Sequence, residues 1–483
     1  MGNDVIYDAI IIGGGVIGCS IARYLSKYNG NFLVVERHSD VGDETSSANS
    51  AIVHSGYDPK PGTLKAKFNV LGNKMMPKIC EELDVPFDKI GSLTVALNED
   101  DLNTLKELNE RAKVNGVDAK FLSKEETIKI EPNINKNILG SLFCKDAGIV
   151  SPFNLTVSLM ENAIDNGSHL NLNSEIKKII HEKDGLYSLE DQHGKIYKTK
   201  FVINAAGVNS EVVTKYIEEP SFHIIPTKGE YILLDHFKND FVKHTLFMCP
   251  SKVGKGVLVS PTTSYNYIVG PSANVTSQGD ASCDTETYNF LRDKAKSLVE
   301  NVPYNQTIKG FAGVRANNDK DDFIIEESKK NPGFFLVAGI MSPGLASSPA
   351  IGEYVANYVA EKLKLSINDR FNPRIKPHKN LKEMDLSSYN TLIKKDPKFG
   401  KFVCRCEKVS EGEIVDAINR NCGATTVKGV RKRTRAGFGK CQGAFCQMSV
   451  VHILARELHK DITEINFGDE GTNICVQNSK EGH

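Results

Sequence analysis

The sequence predicts a mixed α/β fold that opens with a Rossmann-like βαβ unit. Residues 7–12 form a largely apolar run typical of a buried strand, and Val16 to Leu25 has helical spacing. Residues 32–36 predict a second strand. An amphipathic helical pattern around 100–115 and alternating patterns around 186–202 continue the mixed architecture. The first three observations place a crossover helix between two strands.

Composition and charge exclude several classes of protein. The chain has 483 residues, of which 40% are hydrophobic, and 60 Lys+Arg balance 60 Asp+Glu. This composition suits two or three globular domains, and the absent net charge argues against nucleic acid as a partner. The most apolar N-terminal stretch, 9–22, is interrupted by glycines, so it predicts neither a signal peptide nor a membrane span. We therefore expect a cytoplasmic protein without a transmembrane segment.

A glycine motif lies at the first turn. Gly13, Gly15 and Gly18 form G-x-G-x-x-G between the first strand and helix, and Glu36 follows 18 residues after Gly18. The glycines permit a tight turn and close approach of a pyrophosphate, while a carboxylate at the second strand accepts from ribose hydroxyls. The motif predicts a bound dinucleotide without choosing between FAD and NAD.

The C-terminal part changes in composition. The last strongly helical stretch of the main body is 350–363, and residues 371–400 are polar and contain prolines, which predicts a linker. A compact unit is expected over 401–465, ending in a helix at about 447–459. Residues 466–483 have the composition of a frayed polar tail.

Five of the eleven cysteines lie in that compact unit. Cys404 and Cys406 form C-x-C, and Cys441 and Cys446 form C-x4-C, with 35 residues from Cys406 to Cys441. Four thiolates on two short loops suit zinc or an iron–sulfur cluster. Cys422 is expected to be a spare thiol, and the other six cysteines are expected to be core or incidental thiols.

A run of basic residues precedes the second cysteine pair: Lys428, Arg431, Lys432, Arg433, Arg435 and Lys440. Cations beside a negatively charged thiolate cluster would stabilise it and raise its reduction potential. A solvated basic face, or a docking patch for an acidic partner, would have the same sequence pattern. These three interpretations stay open.

The segment 42–67 contains Asn-Ser-x-x-x-His-Ser-Gly and resembles the FAD-dependent glycerol-3-phosphate oxidase/dehydrogenase and L-2-hydroxyglutarate dehydrogenase branch of the D-amino-acid-oxidase superfamily. Later segments resemble that family's landmarks in the same order, namely 202–207, 226–231, 256–262, 310–315 and 342–349. The C-x-C motif and residues 434–443 resemble the bacterioferritin-associated-ferredoxin type of [2Fe-2S] domain.

The resemblance implies an architecture and two cofactors, FAD and a [2Fe-2S] cluster. An FAD-dependent oxidoreductase unit would span 1–370, with a Rossmann-like FAD part and a substrate part that is an α+β lobe with an antiparallel sheet. The FAD part would comprise about 1–75, 145–215 and 310–370, and the substrate part about 76–144 and 216–309. We favour the cluster over zinc because a redox cluster beside a flavin lets electrons leave one at a time.

The resemblance also implies site residues. Glu36 would hold the adenosine ribose, Thr45, Ser46 and Asn49 would lie near the phosphates or the isoalloxazine edge, and Gly344 and Leu345 would face the flavin's pyrimidine side. Gly207 would be a further cofactor contact.

Three residues are expected to act on the substrate. His54 is the candidate base, since neutral imidazole suits proton abstraction near pH 7. Arg315 is the candidate anchor for a phosphate or carboxylate, and Lys255 would add a second positive charge. Ser347 and Ser348 could donate hydrogen bonds to substrate or flavin, or serve only to let the backbone approach.

The expected activity is oxidation of sn-glycerol 3-phosphate to dihydroxyacetone phosphate, with electrons leaving through the cluster to a flavoprotein, ferredoxin or quinone-linked carrier. Three alternatives stay open: an L-2-hydroxy acid such as L-2-hydroxyglutarate as substrate, an amine or imino-acid oxidase, and a non-catalytic electron-relay subunit. Oligomeric state, and peripheral membrane association through a complex, are also open.

Overall fold

The computed structural model describes residues 5–237, 241–250 and 256–477. Its helices are α1 (Val16–Leu25), α2 (Leu64–Glu82), α3 (Glu99–Asn115), α4 (Lys124–Ile130), α5 (Pro152–Asp165), α6 (Ser210–Lys215), α7 (Thr285–Lys296), α8 (Gly344–Leu363), α9 (Leu386–Lys395), α10 (Glu411–Ile418), α11 (Val427–Thr434) and α12 (Gln447–Leu458). Its strands are β1 (Ile6–Tyr7), β2 (Ala9–Ile12), β3 (Phe32–Val35), β4 (Ile52–Val53), β5 (Phe87–Asp88), β6 (Ser92–Ala96), β7 (Ala119–Ser123), β8 (Gly140–Cys144), β9 (Gly148–Val150), β10 (His169–Asn171), β11 (Ile176–His181), β12 (Tyr187–Asp191), β13 (Ile196–Thr199), β14 (Val202–Asn204), β15 (Ile224–Leu234), β16 (Thr245–Met248), β17 (Leu258–Pro261), β18 (Tyr267–Gly270), β19 (Asn274–Val275), β20 (Thr307–Asn318), β21 (Ile324–Glu327), β22 (Phe334–Ala338), β23 (Phe402–Cys404) and β24 (Val409–Ser410).

The first lobe is built on a six-stranded sheet in the order β10-β3-β2-β14-β22-β21. Neighbouring strands are parallel except at β21, which is antiparallel to β22. Both β2 and β3 are buried along their whole length, as expected for strands covered on both faces. Helix α1 crosses from β2 to β3 and packs against α5 and α8. This arrangement confirms the predicted βαβ unit.

The second lobe is a nine-stranded sheet in the order β19-β15-β18-β17-β16-β6-β8-β7, with β20 paired to β15. All of its ladders are antiparallel except the one between β6 and β16. The long strands β15 and β20 pair from Ile224 with Asn318 to Leu234 with Thr307. Because β20 leads back to the first lobe, residues near its end lie where the two lobes meet.

Each part of the chain has its own apolar core. One core packs α1, α5 and α8 against the parallel sheet, and another fills the second lobe around Leu93, Ile232 and Val259. The C-terminal unit has a third core, which includes Ile414 and Leu454. The predicted fold class, a mixed α/β protein with an antiparallel second lobe and a small C-terminal unit, is confirmed. The residue boundaries of the three parts stay predictions.

Two C-terminal segments are more ordered than their composition suggested. The polar stretch expected as a linker contains α9, whose N-cap Asp385 accepts from the backbone N–H groups of Ser387 and Ser388. In the tail, the Asp469 carboxylate accepts from the backbone N–H of Ser39 and pairs with His38. Short polar side chains thus supply caps and cross-chain bonds that an apolar periodicity search does not detect.

Buried ion pairs join the C-terminal unit to the first lobe. The guanidinium of Arg433 donates to both Asp40 oxygens, at 2.7 and 2.9 Å. The ammonium of Lys432 lies 2.8 Å from Asp40 and 3.0 Å from Asp43, and Lys428 lies 3.1 Å from Asp43. Burial alone would raise the pKa of Asp40, but the charges of Arg433 and Lys432 outweigh burial and hold this pKa well below its usual range.

A second pair binds the same interface. Arg420 lies 2.8 Å from Glu161 on α5, and both side chains are buried. Because each buried charge has an opposite partner, the interface avoids the cost of burying unpaired charge. None of the helices in the described part of the chain combines the length and apolarity that a membrane crossing needs.

We predict that Asp40→Asn destabilises the docking of the C-terminal unit by about 3–5 kcal/mol, because Arg433 is left buried without its carboxylate. The measurement is the thermal unfolding midpoint together with limited proteolysis between residues 371 and 400 at pH 7. Since the pKa of Asp40 is depressed in the folded protein, wild type should lose this contribution only as the pH falls below about 3.9.

Asp118→Asn is the matched control, since Asp118 forms an exposed pair with Lys145. Equal proteolysis rates for both variants would contradict the role given to Asp40.

Candidate functional site

A narrow cavity lies at the carboxyl ends of β2 and β3. Its volume is about 130 Å³, and its lining includes Gly13, Gly15 and Glu36. The lining also includes Thr45, Ser46, Ala205 and Gly207, and these four together with Gly15 line a second, larger cavity. The two cavities therefore form one continuous cleft at the position where parallel α/β sheets bind nucleotides.

The turn between β2 and α1 needs its glycines. Gly13 has a φ of +108°, and a Cβ there would come 2.6 Å from the Ala205 carbonyl oxygen. A Cβ on Gly18 would come 1.9 Å from the Gly13 carbonyl oxygen. Backbone thus packs against backbone with no room for a side chain, which leaves the backbone of the turn accessible to the close approach of a pyrophosphate.

Glu36 holds this turn from the next strand. Its carboxylate accepts from the backbone N–H of Gly14 at 2.6 Å and of His38 at 2.9 Å. Burial raises the pKa of Glu36, and the two backbone hydrogen bonds oppose that rise. Each carboxylate oxygen keeps further acceptor capacity toward the cavity, which is what ribose hydroxyls require.

The loop after β3 lines both cavities through Thr45 and Ser46. Ser46 Oγ accepts from the backbone N–H of Val16 at 2.9 Å, so it caps the first turn of α1. Thr45 Oγ1 donates to the Val314 carbonyl at 2.6 Å, which ties the loop to β20. Asn49 donates to the carbonyls of Thr45 and Ser46, so its amide holds the loop closed on itself.

The larger cavity has a volume of about 760 Å³ and lies between the two lobes. Its lining includes His54, Arg315, Gly344 and Leu345, so the structure brings together residues that are far apart in the sequence. Its size suits a flavin ring with a small substrate, whereas the narrower cavity suits the adenosine end of a dinucleotide. The residues present therefore fit FAD.

His54 is fixed from two sides. Its ring stacks on Phe247 with centroids 5.5 Å apart. Its carbonyl accepts from the side chains of Asn69 at 2.7 Å and Asn73 at 3.2 Å, both on α2. The aromatic contact and the backbone bonds together orient the imidazole at the cavity wall.

Arg315 lies on β20 opposite Thr227 of β15. Its guanidinium donates to the Ser272 carbonyl at 3.0 Å and lies over Gly229, where a Cβ would come 2.1 Å from Nη2. Among the described residues, no carboxylate is within ion-pair distance of Arg315. Its remaining donors are therefore available to an anion in the cavity.

Lys65 also lines the larger cavity, and the sequence reasoning did not select it as a site residue. It lies in the first turn of α2 and pairs with the exposed Asp321 at 2.8 Å. In the sequence, Lys65 was marked only by its position in the segment 42–67, which carries the family resemblance. Lys255, the expected second cation, lies outside the described residues.

Ser347 and Ser348 lie in the first turns of α8 and are fully buried. The hydroxyl of Ser347 donates to the Pro343 carbonyl, and that of Ser348 donates to the Leu345 carbonyl. Neither side chain lines the cavity. Both hydroxyls are used within the helix, as in the alternative in which small residues only let the backbone approach.

The four cysteines of the C-x-C and C-x4-C motifs converge from two segments of the C-terminal unit. Cys406 Sγ lies 3.7 Å from Cys441 Sγ, and a hydrogen bond with Cys446 lowers the pKa of Cys404 to about 6. The two loops meet closely at Gly439, where a Cβ would come 2.5 Å from the Cys406 Cβ. Each close pair takes one sulfur from each motif.

The four sulfurs are spread more widely than a single tetrahedral ion requires. The structure describes all four cysteines, and no three of their sulfur atoms lie within 4.8 Å of one another. Tetrahedral zinc with Zn–S bonds of about 2.3 Å would need all four sulfurs about 3.8 Å apart. The wider set fits two metal ions held by four thiolates, as in [2Fe-2S].

The basic run before Cys441 has three different uses. Lys428, Lys432 and Arg433 pair with carboxylates of the first lobe. Arg435 pairs with the buried Glu407 at 2.9 Å. Arg431 lies beside the cysteines: burial lowers the pKa of its guanidinium, and the negative charge of the thiolates partly opposes that fall. The run is therefore neither a single solvated face nor a single docking patch, and most of it binds within the chain.

Comparison with known proteins gives two family matches. Residues 8–358 match the family model described as FAD dependent oxidoreductase. Residues 402–456 match the model described as BFD-like [2Fe-2S] binding domain. The two cofactors implied by the resemblance, FAD and [2Fe-2S], are thereby confirmed.

Three individual proteins are similar over long stretches. The chain is 45% identical over 477 residues to a glycerol 3-phosphate dehydrogenase of Caloramator mitchellensis, covering 98% of this chain and 99% of the relative. An FAD-bound L-alpha-glycerophosphate oxidase from Mycoplasma pneumoniae superposes with a TM-score of 0.73 at 32% identity, covering 77% of this chain and 98% of the other. An L-2-hydroxyglutarate dehydrogenase of Escherichia coli is 30% identical over 272 residues, which is 55% of this chain and 64% of the relative.

We predict that Cys441→Ser abolishes the iron–sulfur absorbance while the flavin absorbance remains, because the cysteine loops and the flavin cleft use different residues. The measurement is the visible spectrum and iron content of the purified protein. Cys422→Ser is the matched control, since Cys422 is buried beside Arg433 and not in either motif. Loss of both chromophores in Cys441→Ser would mean that the cluster is required for folding.

Proposed function

Because the chain belongs to the FAD dependent oxidoreductase family, we propose that it oxidises sn-glycerol 3-phosphate to dihydroxyacetone phosphate. The observation that carries the proposal is that His54 and Arg315 line one cavity beside the N-terminus of α8. A base and a cation around one small space suit an anionic alcohol. The similarity over nearly the full length of a glycerol 3-phosphate dehydrogenase supports the same substrate.

His54 acts as the base in this proposal. A bound flavin would accept the hydride from the carbinol carbon, so the protein must remove the proton from the hydroxyl oxygen on that carbon. The imidazole is held at the cavity wall by Phe247 and by the bonds to its backbone carbonyl. A neutral imidazole near pH 7 accepts that proton and returns it to solvent after turnover.

Arg315 binds the substrate phosphate. A guanidinium offers a planar pair of donors that matches two phosphate oxygens. Lys65 lies at the same cavity, where its ammonium pairs with Asp321, which also lines the cavity. A phosphate monoester carries close to two negative charges on one group, whereas L-2-hydroxyglutarate carries two charges on separate carboxylates. The similarity over nearly the full length of a glycerol 3-phosphate dehydrogenase favours the phosphate.

Electrons leave through the C-terminal unit in this proposal. Arg431, next to the cysteines, stabilises added negative charge there. Each oxidised alcohol releases two electrons and two protons, and a one-electron acceptor protein would take the electrons in two steps. A simple oxidase would need no second redox centre, which supports a dehydrogenase.

The proposal is tested by anaerobic addition of sn-glycerol 3-phosphate, and separately of L-2-hydroxyglutarate, to the purified holoenzyme. We expect the phosphate to bleach the flavin absorbance first and the iron–sulfur absorbance next. Bleaching by the hydroxy acid alone would replace the substrate. Bleaching by neither would favour an amine substrate or an electron-relay subunit.

We predict that His54→Asn slows flavin reduction by roughly 10²-fold or more, because the amide cannot accept the hydroxyl proton. The measurement is stopped-flow flavin bleaching across a pH series, in which the variant should also lose the wild-type pH dependence. His193→Asn, on an exposed turn, is the matched control. A rate within a few-fold of wild type would remove His54 from this role.

We predict that Arg315→Lys raises KM about 10- to 100-fold with a smaller change in kcat, since the charge remains but one of two charge-assisted hydrogen bonds is lost. Steady-state kinetics with sn-glycerol 3-phosphate measures both constants. Arg374→Lys, at an exposed pair with Glu81, serves as the control. An unchanged KM would count against Arg315 as the anchor.

A further inference from the structure

The surface around the four cysteines has a composition that differs from the rest of the chain. Six large side chains lie within two residues of these cysteines and are exposed: Phe402, Phe445, Met448, Arg405, Lys408 and Lys440. We name these six residues the cluster rim. Three are apolar and three are basic, and none is acidic.

The apolar part of the rim is unusually exposed. Phe445 lies between Cys441 and Cys446 and is 90% exposed, while Phe402 is 51% and Met448 is 42% exposed. The loop that carries Phe445 is held by the Gln442 amide, which donates to the carbonyls of Phe438 and Gly439. An aromatic side chain on such a supported loop is typical of a contact that is buried in a complex.

The charge around the rim has one sign. Between residues 402 and 448, all of which the structure describes, the exposed charged residues are Arg405, Lys408 and Lys440. The acids in the same range are buried or half-buried and hydrogen-bonded or ion-paired, namely Glu407, Glu411, Glu413 and Asp416. Outside this range, Lys401 and Arg456 pair with Glu411, and the next exposed acids are Asp461, Glu464 and Glu470. The whole chain has no net charge, so this positive face is a local feature.

The ion pairs between the C-terminal unit and the first lobe explain why the cluster rim differs from the rest of the basic run. Lys432 and Arg433 point into the first lobe, where they pair with Asp40 and Asp43. Arg405, Lys408 and Lys440 lie within two residues of the cysteines and stay exposed. The exposed charge next to the metal ligands is therefore positive.

We propose that the cluster rim is the docking surface for a protein electron acceptor whose own redox centre lies under an acidic surface. The proposal rests on the proposed function for the source of the electrons, and it adds the surface and the charge of the partner. Complementary charge would speed encounter and orient the partner, and the apolar side chains would exclude water at the contact. The oxidised alcohol yields two electrons, which reduce two one-electron acceptor molecules, and its two protons pass to water.

A protein fits this surface better than a membrane. The three apolar residues lie on a strand, a turn and the first turn of a helix, whereas membrane-surface binding uses a continuous apolar helix face. Each rim residue lies within two positions of a cysteine, so a partner seated on the rim brings its redox centre close to the cysteines. Vesicle binding is therefore an alternative that the experiment must exclude.

The test uses the holoenzyme reduced with stoichiometric dithionite, so that its outcome does not depend on the substrate. Stopped-flow absorbance follows oxidation by the soluble domain of cytochrome b5, which has an acidic haem edge, and by cytochrome c, which has a basic one. We expect cytochrome b5 to react faster at low salt and to lose that advantage as ionic strength rises. Equal rates, or a faster reaction with cytochrome c, would overturn the proposal.

Two variants test whether residues of the cluster rim contact the acceptor protein. Lys408→Glu and Phe445→Ser should each slow the reaction with cytochrome b5, the charge reversal by roughly tenfold. The iron–sulfur spectrum and the rate with the small neutral acceptor 1,4-benzoquinone should not change. Lys183→Glu reverses an exposed charge between β11 and β12 and is the matched control.

Two results would contradict the assignment even if the variants fold differently from wild type. The first is a wild-type rate with cytochrome b5 that does not depend on salt. The second is sedimentation of the wild-type protein with phosphatidylglycerol vesicles. Failure of sn-glycerol 3-phosphate to bleach the flavin would instead overturn the proposed substrate and leave the docking result standing.

Discussion

The buried contact of Asp40 with Arg433 and Lys432 is the interaction on which the arrangement of this molecule depends. Asp40 follows the strand that ends at the dinucleotide cleft, and its partners lie on the helix that precedes the second cysteine pair. Asp40, supported by the pairs of Asp43 and Glu161 across the same interface, thus couples the position of the flavin cleft to the position of the cysteine loops. Burial makes that coupling rigid, because separating the charges would leave at least one of them unpaired in a medium of low polarity.

The two lobes have different functions around the cleft. The parallel sheet and the glycine turn before α1 supply the lining of the narrower cavity. The antiparallel sheet supplies Arg315 and Phe247, which line the larger one. Thr45 connects the two lobes through its bond to Val314, so the cofactor loop and the substrate strand are held in register.

Much of the site could be predicted because it consists of local motifs. The turn at Gly13 is a property of a short stretch of chain, and its need for glycine follows from backbone contacts within one βαβ unit. The C-x-C and C-x4-C motifs likewise place two thiols on each loop whatever the rest of the chain does. The cleft geometry agrees with the positions expected for Glu36, Thr45 and Ser46, while the individual roles of the site residues stay predictions.

The sequence by itself determined the fold class, the dinucleotide turn and the four-thiolate set, because each depends on residue type at short spacing. Only the tertiary structure decided which basic residues bind inside the chain and which face solvent, since that depends on which acids the folded chain brings near them. The same reason explains why Lys65 lines the cavity whereas the hydroxyl of Ser347 bonds to the carbonyl of Pro343 at the start of its own helix. The packing of the folded chain decides the direction of each side chain.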